Sequence, residues 1–217
     1  MYSRGHRFPS GTSGWTPSEI ALFRELSSPI KIQHYLNSLT YDPDYGARSP
    51  RWVIKEGKAH CFEGALFAAA ALRQLGHRPL LVDIRSWNDD DHVLAVFKER
   101  RHWGCVAKSN YTVLRFREPV YRSIRELVIS FFDVYFNPIG QKTMRSYSLP
   151  LDLSQFDKRQ WMTTDEDLEY IGDKLDEMKH FPVLTPAMIR RLNRADKDLV
   201  KAGLLDAKPK GLYKPKS

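Results

Sequence analysis

"GKAHCFEGALFAAAALRQLG", residues 57–76, is the stretch on which the reading of this chain turns. From Phe62 to Leu75 it is dense in Ala and Leu, the strongest helix formers, and Gly76 is the residue type that stops a helix. A buried helix is the expectation. Cys61 falls at or just before its first turn, not in its apolar middle. Unsatisfied backbone N–H groups and the helix dipole favour an anion there, and thiolate is the nucleophilic form of cysteine. The position is therefore that of an activated nucleophile. The structural alternative is a small hydrophobe at a helix start.

Upstream, "TPSE" places Thr16 as N-cap, Pro17 at the first helical position and Glu19 three residues after the cap, the pattern of a capping box. Ser28 and Pro29 repeat the device before a second amphipathic helix, and residues 40–50 are rich in turn formers. Downstream, "RPLLVDIRS" reads as a buried strand, "WNDDD" as a polar loop, and "HVLAVF" and "WGCVAKS" as two strands joined by a charged hairpin loop. Residues 118–137 have helical periodicity ending at Asn137-Pro138, and a short strand is expected within 144–153. Helices, then a Cys-led helix, then antiparallel strands, then helices make an α+β order. The expected organisation is one domain over 15–155 and a helical extension over 156–207. Residues 1–14 and the basic tail 208–217 are expected to be disordered.

Composition bounds the function. The 217 residues are 42% hydrophobic, enough for a real core, and the two cysteines, Cys61 and Cys105, provide no disulfide framework. A pair of thiols fits a reducing compartment. No apolar h-region or membrane-length run occurs, so a soluble cytoplasmic protein is expected. The net charge of +8 favours polyanions or acidic substrates. No zinc-finger spacing, basic zipper or aromatic RNA-binding motif accompanies it, so a nucleic-acid reading rests on charge alone. Oligomeric state is not legible.

A cysteine nucleophile needs an imidazole, and the imidazole needs a third group to set its tautomer. His60 is adjacent to Cys61 in sequence, and adjacent helical residues do not face each other. His92 opens the strand "HVLAVF" after the acidic loop, where catalytic groups are often placed. Pairing Lys98 with Trp103 around a four-residue loop sets His92 opposite Ser109, with Lys108 and Asn110 one residue to either side. Lysine has only donors. Asn110 is favoured as the orienting group, with Ser109 second; the structural alternative for Asn110 is a turn residue leaving the strand. Trp52 and Trp87 flank the motif and are candidates for lining a substrate groove, although most tryptophans simply pack. Cys105 alternates with Trp103 and Ala107 and is expected in the core. Asp89, Asp90 and Asp91 are weak grounds for a metal and read better as a solvated loop. Arg115, Arg117, Arg122 and Arg125 are set as either an anion site or a solvated helix face.

Taken together, residues 29–110 resemble the transglutaminase-like group of the papain-type cysteine-protease fold. The resemblance lies in "PIKIQHYLNSLTYDPD", "RSPRWVIKEGKAHCFEGALFAAAALRQLGHRPLLVDI", "DHVLAVF" and "RHWGCVAKSN". It implies that Cys61 is the nucleophile and His92 its base, in a core where a Cys-bearing helix packs on an antiparallel sheet. The family places Asp near the end of the Trp-led strand, where this chain has "AKSN", so the resemblance departs at the third position. The implied chemistry is acyl transfer on peptide or protein amides, as a hydrolase or a transglutaminase-type acyltransferase, without cofactor or metal. The other functional classes left open are a binding module that keeps the groove with a degraded triad, and a basic nucleic-acid binder.

Overall fold

The protein is described by a computed structural model that covers residues 14–44 and 46–216. The expectation for residues 1–14 thus falls, Gly14 apart, outside the described residues. Helix α1 (Pro17–Glu25) starts at the expected capping box: Glu19 donates its N–H to Thr16 Oγ1 at 3.3 Å, and Thr16 donates its N–H to Glu19 Oε2 at 2.6 Å. Helix α2 (Pro29–Ser38) leads to a two-residue strand β1 (Thr40–Tyr41). Helix α3 (Pro50–Glu56) ends at Gly57, whose φ of 65° is the left-handed conformation glycine accepts without strain. Strand β2 (Lys58–Ala59) then pairs with β1 in parallel and delivers the chain to α4 (Cys61–Gln74).

Strands β3 (Leu80–Ser86), β4 (His92–Glu99), β5 (His102–Val106), β6 (Arg117–Tyr121), β7 (Met144–Ser148), β8 (Leu151–Asp152) and β9 (His180–Pro182) form one antiparallel sheet. Its order is β6-β5-β4-β3-β7-β9, and β8 pairs with the start of β3. The two central strands are buried on both faces, which is why they read as continuous apolar runs. Leu81, Val93, Ala95 and Phe97 face α4 and the N-terminal helices. Val82, Ile84, Leu94, Val96 and Cys105 face the opposite core, with Leu127, Phe131, Tyr135 and Phe136. Cys105 is fully buried, as its alternation with Trp103 and Ala107 implies. The architecture is α+β, and among the described residues no helix is long and apolar enough to cross a membrane.

Three expectations require correction. The segment 118–137 is not one helix. It begins as edge strand β6, where Pro119, lacking an N–H, fits the unpaired side, and only α5 (Ile124–Ile129), capped by Ser123, is α-helical. The region beyond 155 is not an appended pair of helices. Its helix α6 (Glu169–Glu177) buries Ile171 and Leu175 in the same core as α4, and β9 completes the sheet against β7. Further on, two short helices, α7 (Pro186–Ile189) and α8 (Lys197–Gly203), are separate because Asp196 accepts N–H bonds from Asp198 and Leu199 and starts a new helix. Nor is the stretch from Lys208 free. It passes through a 3₁₀ turn at Pro209–Gly211 and is described to Lys216.

The Lys98–Trp103 register anticipated from the hairpin is the one observed, but β5 ends at Val106. The buried Gln33 takes both backbone groups of Ala107: its Oε1 accepts from the N–H at 3.0 Å and its Nε2 donates to the carbonyl at 2.9 Å. Lys108 then turns into α2, donating from Nζ to the carbonyls of Leu36 and Leu39 at 2.7 and 2.6 Å. Its path crosses α4 at Gly64, where an added Cβ lies 2.2 Å from Lys108 Cβ. Substituting Gly64→Ala is expected to destabilise the fold by about 1–3 kcal/mol through overpacking. The check is the urea midpoint, with Gly57→Ala not a substitute control because its φ is positive.

Candidate active site

The turn that presents Cys61 is built by its neighbour. His60 is the N-cap of α4, and its Nδ1 accepts the N–H of Phe62 at 3.2 Å. Its Nε2 lies 2.5 Å from the carbonyl of Gly46 and donates to it, which fixes the neutral tautomer. Burial also holds this imidazole's pKa below its ordinary value. Glu63 completes the capping box by accepting the N–H of His60 at 3.4 Å, and burial pushes its carboxyl up to about 7. His60 is thus a capping residue and leaves the proton-transfer role open. Cys61 becomes the first helical residue.

Burial decides the resting state of the thiol. Cys61 is half-buried as a residue, with Sγ 3.8 Å from the Asp91 carbonyl. Desolvation, reinforced by the Asp90 carboxylate, pushes the thiol up to about 12. The backbone N–H groups of Val93 and Phe62 act in the opposite direction and are outweighed. The expectation of a thiolate stabilised at rest by the helix start is therefore corrected: removal from water is the larger effect.

His92 opens β4 opposite Ile84 and is 4% exposed. Its Nε2 lies 2.9 Å from the carbonyl of Leu114. A carbonyl only accepts, so Nε2 carries the proton and Nδ1 is the basic nitrogen. Burial pushes the imidazole down to about 4, with the Arg117 guanidinium adding to the shift and the Leu114 bond opposing it. The Tyr135 ring meets it edge-on at 6.4 Å, and the Tyr135 hydroxyl donates to the Asp90 carbonyl at 3.1 Å.

Cys61, His92, Ser109, Asn110, Tyr41 and Tyr135 line a common small cavity of about 40 Å³. The sequence thus located the residues that converge, but it misassigned the orienting group. Asn110 does not bond to His92. Its Nδ2 donates to the carbonyls of Lys208 and Gly211, both at 3.0 Å, and its Oδ1 accepts the Lys208 N–H at 2.8 Å. Ser109 Oγ is likewise occupied, accepting the N–H of Tyr111 at 3.0 Å. Hairpin extrapolation fails here because Gln33 and Lys108 pull the chain off the β4 ladder before it reaches residue 109. The backbone carbonyl of Leu114 takes the place opposite the imidazole, and a main-chain group carries no signal in the side-chain sequence.

The two tryptophans lie elsewhere. Trp52, on α3, packs on the helical core under the cations of Arg48 and Lys58, 4.3 and 5.3 Å from its ring. Trp87 is 52% exposed, beyond a register shift between Arg85 and Ser86 that alters the alternation of β3. Neither lines the cavity. In the acidic loop, Asp89 accepts from Thr143 Oγ1 at 2.7 Å and Asp91 accepts from the Ser86 N–H at 2.6 Å. Those two carboxylates are used to pin the loop to β3 and to the approach to β7. Among the described residues no cluster of His, Cys, Asp and Glu is arranged to hold a metal ion. Comparison with protein-family models and with curated proteins returns no match.

A depressed histidine pKa is a stability statement. The folded state holds His92 neutral down to about pH 4, whereas an unfolded histidine protonates near 6.5. Its contribution is present above the unfolded pKa and is lost as pH falls from about 6.5 to 4. The unfolding free energy of wild type relative to His92→Gln is expected to fall by about 3 kcal/mol between pH 7 and pH 4. Urea denaturation of both proteins at the two pH values measures it.

Proposed function

We propose that the protein performs cysteine-dependent acyl transfer on amide bonds, with Cys61 as nucleophile and His92 as base, on a core of papain and transglutaminase-like arrangement. The observation that carries this reading is the convergence of the first residue of a buried helix and the first residue of the adjoining strand on one cavity, with the imidazole tautomer set to leave Nδ1 basic. A thiol and a neutral imidazole meeting at a helix start is the arrangement that activates sulfur by proton transfer.

The steps follow from these groups. His92 Nδ1 takes the thiol proton as Cys61 Sγ bonds to the amide carbonyl carbon. The C–N bond then breaks, and the proton passes from His92 to the leaving amine. Water or a second amine attacks the thioester, giving hydrolysis or cross-linking, and the thiol returns. The Leu114 carbonyl accepts the Nε2–H throughout and keeps the ring in place. It carries no full charge, so it stabilises an imidazolium less than the aspartate of the related family pattern. In the first turn, His60 occupies the Phe62 and Glu63 N–H groups, which leaves the N–H of Cys61 itself as the donor for the developing oxyanion.

A second reading, a groove-binding module without turnover, is favoured by the high pKa of the thiol and the low pKa of the imidazole in the closed cavity. The two separate by the pH profile of iodoacetamide labelling at Cys61, read by peptide mass spectrometry in the full chain, with Cys105 as internal control. Closure of the cavity scales the rate at every pH and leaves the shape of the profile to the reacting pair. Acyl transfer predicts a labelling limb below the free-thiol range of about 8.5, absent from Cys105 and abolished by His92→Ala. A Cys61 profile that rises like a free thiol in both proteins overturns the enzymatic reading.

A further inference from the structure

Residues 208–216 run past the Cys61–His92 cavity, to whose lining Gly211 belongs. One end is gripped by Asn110, whose carboxamide accepts the Lys208 N–H at 2.8 Å and donates to the carbonyls of Lys208 and Gly211. The other end is gripped by Asn88, whose Oδ1 accepts the Lys216 N–H at 2.8 Å and whose Nδ2 donates to the Lys216 carbonyl at 3.0 Å. Asn88 is itself fixed: it sits at a φ of 56° and donates to Gln141 Oε1, and its carbonyl accepts from the fully buried Asn137. Between the two asparagines, Gly211 contributes directly to the cavity wall.

All five contacts are to backbone atoms of the segment. Lys208, Lys210, Lys214 and Lys216 are exposed, whereas Gly211, Leu212 and Tyr213 are half-buried against the protein. Asn110 bonds both ends of the 3₁₀ turn Pro209–Gly211 through main-chain groups, so the site reads a backbone path and tests side chains only at the few inward positions. The inward position nearest the thiol is sterically selective. A Cβ added to Gly211 lies 2.6 Å from the Tyr41 ring and 3.2 Å from Asn110 Nδ2. Only glycine fits there without displacing the ring.

We infer that Asn110 and Asn88 form a binding site for a polypeptide whose tight turn places glycine at the Tyr41 position, and that residues 208–216 are its built-in occupant, covering the Cys61–His92 cavity until they are displaced. The regulatory half of this inference rests on the acyl-transfer reading. The peptide-binding half does not. The strap is held by five side-chain hydrogen bonds and by the half-buried Leu212 and Tyr213 against the backbone freedom of its whole length, so it is suited to release by a competing chain.

The test uses full-length Gly211→Val, which forces the strap away from Tyr41 while keeping every residue of the site. Iodoacetamide labelling of Cys61 is expected to rise tenfold or more at pH 8, with Cys105 unchanged. A synthetic peptide of residues 208–217, added in trans at millimolar concentration, is expected to restore protection, and the same peptide carrying valine in place of its glycine is not. Lys208→Pro, at a φ of −80° that proline accepts, removes one strap hydrogen bond and is expected to give a smaller, several-fold rise. Circular dichroism confirms that each variant is folded, and a Gly211→Val chain that loses its fold leaves Lys208→Pro to decide. Unchanged Cys61 labelling in the folded variants, or labelling indifferent to both peptides, overturns the inference. Faster labelling in Gly211→Val that keeps a free-thiol pH profile and ignores His92→Ala upholds the strap and removes the acyl-transfer reading. Labelling that depends on His92 in the unaltered chain and is indifferent to Gly211→Val does the reverse.

Discussion

The double hydrogen bond between the Gln33 carboxamide and the backbone of Ala107 is the constraint on which the site depends. It satisfies both polar groups of a buried residue at the point where β5 leaves the sheet. Without it, the strand has every reason to continue up the β4 ladder towards His92. With it, the chain turns through Lys108 into α2, crosses α4 at Gly64, and returns over the cavity as residues 109–116. That return brings Asn110 to the cavity mouth and the Leu114 carbonyl to His92 Nε2. A carboxamide on the second helix thus sets the tautomer of a histidine on the fourth strand through the path of the backbone between them.

The same geometry explains why the titratable groups around the cavity are shifted in the direction of neutrality. Cys61 is pushed up, His92 down, and Asp89 up to about 7, in each case with burial as the largest cause. Removal from water disfavours the charged form of each of them. Burial thus favours the neutral thiol and the neutral imidazole.

Much of the fold was legible from side chains acting locally. Thr16, Glu19 and Pro17 announce α1; the Ala and Leu density before Gly76 announces α4; the doubly apolar runs 80–84 and 92–97 announce central strands; and the Lys98–Trp103 register follows from loop length. Segments whose state depends on distant partners were not. Residues 118–121 have helical spacing but become an edge strand because β5 offers them a ladder. Residues 180–182 are too short to read as a strand and become one only against β7. The tail carries a composition that cannot fold alone, and it is ordered because Asn110 and Asn88 grip its backbone.

The sequence by itself determined where the cysteine and the histidine fall in their elements: Cys61 opens a helix and His92 opens a strand, and both line one cavity. Local propensity and periodicity suffice for the place of each in its element, because they act within each element and over short connections. Only the tertiary structure decided what orients the histidine, what the asparagine does, and whether the thiol is charged. Those depend on a backbone carbonyl, on a segment about a hundred residues away in the chain, and on exclusion of water. None of the three is a property of any residue's own type.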